Sequence, residues 1–265
     1  MGRFEDANAL WDAGRLEEAI REFRLMAEET VDRNCRAAIL LNEARCHASL
    51  GHVDDAGRVL REIAGVAPDD LNVRLYISFA TACASAQEGE HDKAALQFGS
   101  VLTEYAQLLE AEQELREDIC FRRAIELVVS ARNREAVPFL EEALSFRTLT
   151  IEDQQMASFQ LALTYEKLQE GDLAVREFLR TISFNLLNWN EAEARYRAAC
   201  SYFTRGAYAQ AKHHLEKALN DYSKYKGADV SVALRSIYGL LSRACRYLGE
   251  KDNEKRYANL SKNCT

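Results

Sequence analysis

The chain has 265 residues and a formal net charge of −8, with only 2 Pro and 12 Gly. So few chain breakers exclude an all-β sandwich and long Gly/Pro-rich disorder. Lys/Arg interleaved with Asp/Glu excludes the basic stripe of a nucleic-acid binder, and no apolar run approaches the 18 residues of a membrane span. The locally basic end (Arg243, Arg246, Lys251, Lys255, Arg256, Lys262) reads as a solvated last helix. Seven cysteines, with no Cys-x-x-Cys pair, argue against a disulfide framework and a cysteine zinc site. Free thiols fit a reducing cytoplasm, and the acidic start lacks the apolar core of a signal peptide.

In chain order, one pattern recurs: a small residue, then Gly at a turn, then Ala followed four later by an aromatic or Leu. The first copy is Ala7, Gly14, Ala19, Phe23 and the second Ala44, Gly51, Ala56, Leu60. The third is Ala82, Gly89, Ala94, Phe98. Two looser copies follow, Ala124, Ala131, Ala136, Leu140 and Ala162, Gln169, Ala174, Phe178, with Gly171 expected to supply the turn in the latter. The sixth is Ala199, Gly206, Ala211, Leu215, and a degenerate seventh is Ser242, Gly249, Glu254, Ala258. The third residues of each set are 37, 38, 42, 38, 37 and 43 apart. Small residues on two facing helices permit close approach, and the aromatic fills the space beside them. A single hairpin of this kind cannot bury both apolar faces, so neighbours must stack.

This pattern resembles the tetratricopeptide repeat (TPR) family, most clearly at Ala199, Tyr202, Gly206, Tyr208, Ala211, Leu215 and Ala218. The resemblance implies an all-α fold: a right-handed superhelical solenoid of about seven TPR-like helix-turn-helix repeats filling residues 1–265 as one domain. The units fall at about 1–34, 35–70, 71–113, 114–150, 151–188, 189–226 and 227–265. Pro68 stands where the family often ends a second helix. Glu104 to Asp118 is strongly helix-forming and is assigned to extended helices, whereas Asn220 to Asp229, with Gly227, reads as a loop. Pro138 is expected near the first turn of its helix, where a missing N–H is tolerated.

In this family the first helix of each unit lines a concave surface that commonly holds a peptide. The inward register, fifteen before each marker, places Phe79, Phe121, Phe159 and Tyr196 there in four consecutive units. Four residues on, the same face carries Cys83, Ile125, Leu163 and Cys200, while Arg122 and Arg197 lie beside the rings. The strip reads as a partner-binding groove whose arginines fix a carboxylate or carbonyl. Packing of the rings between repeats, and self-association, remain alternative readings. The two-carboxylate clamp of one TPR subclass is rejected: Asn8 and Asn42 match, but Phe4, Tyr76 and Ala80 replace its other positions.

Glu43 and His47 share a helix face at metal-ligand spacing, as do His213 and Glu216, but no third ligand is indicated for either, so no metal is expected. No phosphate loop or nucleophile motif is present, and no cofactor is expected. The sequence therefore reads as a cytoplasmic, non-catalytic interaction scaffold that grips a protein or peptide, with no nucleic-acid or membrane partner. The alternative is a peptide-sensing regulator or secretion-type chaperone of the same architecture.

Overall fold

A computed structural model describes residues 3–50, 52–66, 70–225 and 228–263. Gly51, Pro68, Gly227 and Cys264 lie outside the described residues. The chain divides into two compact units, Met1–Ala131 and Arg132–Thr265. Among the described residues there are fifteen α-helices and no strand.

The first unit holds α1 (Arg3–Asp12), α2 (Leu16–Glu29), α3 (Arg33–Ser49), α4 (Val53–Val66), α5 (Leu71–Gln87), α6 (His91–Glu104), α7 (Ala106–Ala111) and α8 (Gln113–Val129). Each helix from α1 to α6 packs on the next, and α8 packs on α6. The second unit holds α9 (Asn133–Ala143), α10 (Ile151–Lys167), α11 (Gly171–Ser183), α12 (Trp189–Thr204), α13 (Tyr208–Tyr222), α14 (Ala228–Tyr247) and α15 (Lys251–Asn263), again packed in succession. First helices of neighbouring pairs also touch, α3 with α5 and α10 with α12.

The repeated small residues are the reason the helices close up. Ala7, Ala44, Ala82, Ala124, Ala162 and Ala199 are buried, as are Ala19, Ala56, Ala94, Ala136, Ala174 and Ala211. Phe23, Phe98, Leu140, Phe178 and Leu215 are buried beside them. At roughly 25 cal/mol per Å² of apolar area, each such ring or Leu contributes about 1.5–3 kcal/mol.

The hairpin turns share one geometry. Gly14, Gly89, Gly206 and Gly249 have φ between 72° and 79°. The following N–H closes a bond to the carbonyl five residues back: Arg15 to Leu10, Glu90 to Ser85, Ala207 to Tyr202 and Glu250 to Cys245, each at 2.9 Å. This is the Schellman closure of a helix end. Ala131 and Gln169 adopt the same left-handed conformation, at φ 59° and 65°, without being glycine. Gly171 therefore does not supply the fifth turn. It is the first residue of α11, and Gln169 makes the turn.

The two classes of helix start differently. Asp32, Asp70, Thr150 and Asn188 cap α3, α5, α10 and α12 by accepting from backbone N–H groups of the first turn. The second helices α2, α6, α9, α11 and α13 have no side-chain cap, because each leaves directly from the Schellman turn.

Three expectations need correction. Glu104 to Asp118 is not a pair of extended helices: the chain breaks at Tyr105 and Glu112, and α7 stands between them. Tyr105 and Leu109 are buried in the α5–α6 core, so packing imposes the break rather than Gly or Pro. Pro138 is the sixth residue of α9, in its second turn, where its missing N–H removes a helical bond. The loop expected from Asn220 is shorter, since α13 runs to Tyr222 and α14 starts at Ala228.

Candidate partner-binding groove

In the first unit, α1, α3, α4, α5 and α8 each contribute side chains to one cavity. It has a volume of about 390 Å³ and is lined by Trp11, Leu41, Arg45, Tyr76, Phe79 and Cys83, with Glu114, Asp118 and Arg122 from α8. That size and mostly apolar lining suit a few side chains of a bound segment.

Arg45 is the distinctive group. It is half-buried, and its guanidinium carbon lies 5.1 Å from the centre of the Trp11 ring and 5.3 Å from that of Tyr76. Both rings present electron-rich faces to the cation. Among the described residues, no carboxylate lies within ion-pair distance of Arg45. The Tyr76 hydroxyl is buried without a hydrogen-bond partner, and burial holds its phenol above the usual pKa. A positive fork and an unsatisfied hydroxyl thus face one apolar cavity.

Three of the expected site residues line this cavity: Phe79, Cys83 and Arg122. Phe79 is half-buried, 6.1 Å from Phe98. Burial pushes the Cys83 thiol up to about 11, so it is a neutral apolar group rather than a nucleophile. Arg122 stands over Phe79 at 5.9 Å, and its Nε donates to both oxygens of Asp118 at 2.9 Å. Phe121 is buried and Ile125 half-buried, and neither lines the cavity.

The second unit carries the other five on α10 and α12. Phe159 is 7% exposed and packs on Phe178 at 6.2 Å, so it is chiefly core. Leu163, Tyr196 and Cys200 are half-buried. Burial pushes the Tyr196 phenol up to about 12. Arg197 donates to Glu193 and Glu166, so its charge is matched within the unit. The two expected arginine anchors are therefore both ion-paired. Of the two arginines lining the cavity, the one lacking such a pair is Arg45, which sequence reasoning missed. Its signal was present: Arg45 follows Leu41 by four, the register that holds Cys83, Ile125, Leu163 and Cys200 elsewhere.

No helix among the described residues is long and apolar enough to cross a membrane. The six described cysteines are free.

The tetratricopeptide repeat family profile matches residues 193–225, which hold most of α12 and all of α13. No curated protein matches the sequence. Among solved structures, the apo form of RapI is similar over 99% of this chain and 75% of its own, at 14% identity and a TM-score of 0.69. The C-terminal part of a TPR repeat-containing protein from Cytophaga hutchinsonii is similar over 96% of this chain and 92% of its own, at 15% identity and a TM-score of 0.61. Pseudomonas aeruginosa pilF is similar over 87% and 92%, at 16% identity and a TM-score of 0.56. At these identities the likeness is one of fold, and it agrees with the successive helix pairs and with the matched repeat. Residues 193–225 thus match a tetratricopeptide repeat, and the chain as a whole has the all-helical fold of the solved repeat structures it resembles.

Proposed function

We propose that the chain is a non-catalytic protein-interaction scaffold that holds a peptide segment of a partner protein in the groove of its first unit. The observation that carries this reading is Arg45, clasped by Trp11 and Tyr76 and ion-paired with no described carboxylate, in a mostly apolar cavity that Glu114 and Asp118 also line. A desolvated guanidinium recovers most from an anion, and charge-assisted hydrogen bonds of this kind contribute about 1.5–3 kcal/mol. The segment therefore carries a carboxylate beside a large apolar side chain, the latter resting against Phe79 and Leu41. In the second unit Leu163, Tyr196, Arg197 and Cys200 offer a second, more weakly charged contact strip. The free cysteines suit a reducing compartment such as the cytoplasm.

The test is a displayed peptide library panned on the native chain and on Arg45→Ala. Enriched peptides should carry an acidic residue or terminal carboxylate next to a bulky apolar residue, and should bind Arg45→Ala about 10-fold or more weakly. Peptides without a carboxylate, or binding equally well to the variant, would sink the reading.

A further inference from the structure

The turn between α3 and α4 gathers three metal-binding side chains that the sequence pattern kept apart. His47 lies in the last turn of α3, His52 directly precedes α4, and Asp55 lies in the first turn of α4. A backbone bond across the turn draws them together: the His52 N–H donates to the His47 carbonyl at 2.9 Å. One potential ligand atom from each side chain lies within 4.8 Å of the other two, and among the described residues no other trio of His, Cys or carboxylate groups does this.

We propose that His47, His52 and Asp55 bind a divalent first-row transition-metal ion. Two imidazoles and one carboxylate form a donor set that such ions accept, with an open coordination position left over. Ligand bonds of about 2.0–2.2 Å put tetrahedral donor atoms about 3.4 Å apart. The exposed His52 closes that remaining gap by a side-chain rotation.

Further observations fit. The Nδ1 atom of His47 is buried and has no hydrogen-bond partner, an unfavourable state that a metal bond would relieve. Its other nitrogen, Nε2, lies 3.7 Å from Glu43 Oε1, and Arg24 holds that oxygen at 2.7 Å. A carboxylate on the second nitrogen is the usual means of orienting a metal-bound imidazole. Asp55 is engaged only with Arg58, one turn away at 2.7 Å, and an exposed pair of that kind is easily surrendered.

Glu43 and His47 were visible as a pair in the sequence. The third and fourth members were not, because they reach the pair across a turn rather than along a helix face.

The experiment titrates the full, reduced chain with Zn2+ by calorimetry and with Co2+ by visible absorption. The native chain should bind one equivalent, and His52→Ala and Asp55→Asn should each weaken binding about 10-fold or more. Both positions are at least partly exposed, so circular dichroism should show both variants folded. Glu43→Gln should weaken binding about 10- to 100-fold through the orientation of His47. The Co2+ spectrum should lack thiolate charge transfer. Undiminished binding in both His52→Ala and Asp55→Asn, a thiolate spectrum, or no binding at about 1 mM ion would each overturn the assignment.

Discussion

A glutamine in a left-handed turn is a standing cost. Gln169 holds φ 65° with an exposed side chain, where Gly14, Gly89, Gly206 and Gly249 fill the equivalent place. Non-glycine residues lose about 1–2 kcal/mol in that region. Gln169→Gly should therefore raise stability by about 1 kcal/mol in urea unfolding. Gly206→Ala should lower it by about as much, although no atom lies within 4 Å of the added methyl carbon, so backbone conformation alone is tested. Burial, with His213, Arg195 and Lys217 nearby, pulls the His214 imidazole down to about 4. An unfolded histidine titrates near 6.5, so between these values the unfolded chain binds the extra proton. Stability should then fall as pH drops from about 6.5 towards 4 and be insensitive to this group above that window. His214→Gln should flatten the decline in urea midpoint between pH 7 and pH 5; an unchanged slope counts against the burial account. At this scale the sequence was most legible in the alanines, whose place every unit repeats. It was least legible at Gln169, since a polar side chain leaves no sign of a positive φ.

Among elements, the first helices depend on their caps and the second helices on their turns. Asn188 is the most heavily used cap: its Oδ1 accepts from the Glu191 N–H, and its Nδ2 donates to the buried Gln155 at 2.6 Å. Glu191 in turn accepts from the Leu187 N–H at 2.9 Å, which holds Leu187 at φ 53°. Asn188→Ala removes the cap and leaves Gln155 short of a partner, and should cost about 2 kcal/mol in chemical unfolding. Pro138→Ala acts in the opposite sense. It restores a backbone donor in the second turn of α9 and should raise stability by about 1–3 kcal/mol. The long helix pairs were legible because each apolar face repeats at helical spacing and each turn follows a small-residue register. The helix α7 was not, because Tyr105 and Glu112 are ordinary helix-compatible residues. Their departure from the helix follows from how Tyr105 and Leu109 are drawn into the core.

For the molecule as a whole, the described helices fall into two units, each with its own apolar interior. Phe23, Leu40 and Ile63 centre one cluster of the first unit and Leu75, Phe98 and Leu109 another, whereas Leu215, Tyr222 and Leu241 centre a cluster of the second. Residues 1–131 and 132–265 expressed separately should each be helical by circular dichroism and melt cooperatively. A fragment that is largely coil would show that its interior is not sufficient. The fold of each unit was legible from a register repeated along the chain. The groove was only half legible, because its chemistry rests on departures from that register. Arg45 replaces a small or apolar residue, and its value comes from Trp11 and Tyr76, which lie on α1 and α5, before and after its own helix pair.

That arrangement also gives the molecule an optical handle. The chain has two tryptophans, and each unit contains one of them. Trp189 is set edge-on to Tyr222 and Tyr225, while the Trp11 indole faces the charge of Arg45. Indole emission shifts with the field across the ring, so an anion settling on Arg45 alters the colour and intensity of Trp11 alone. With Trp189→Phe as the silent background, the intrinsic fluorescence of the protein becomes a direct gauge of groove occupancy, with no label attached.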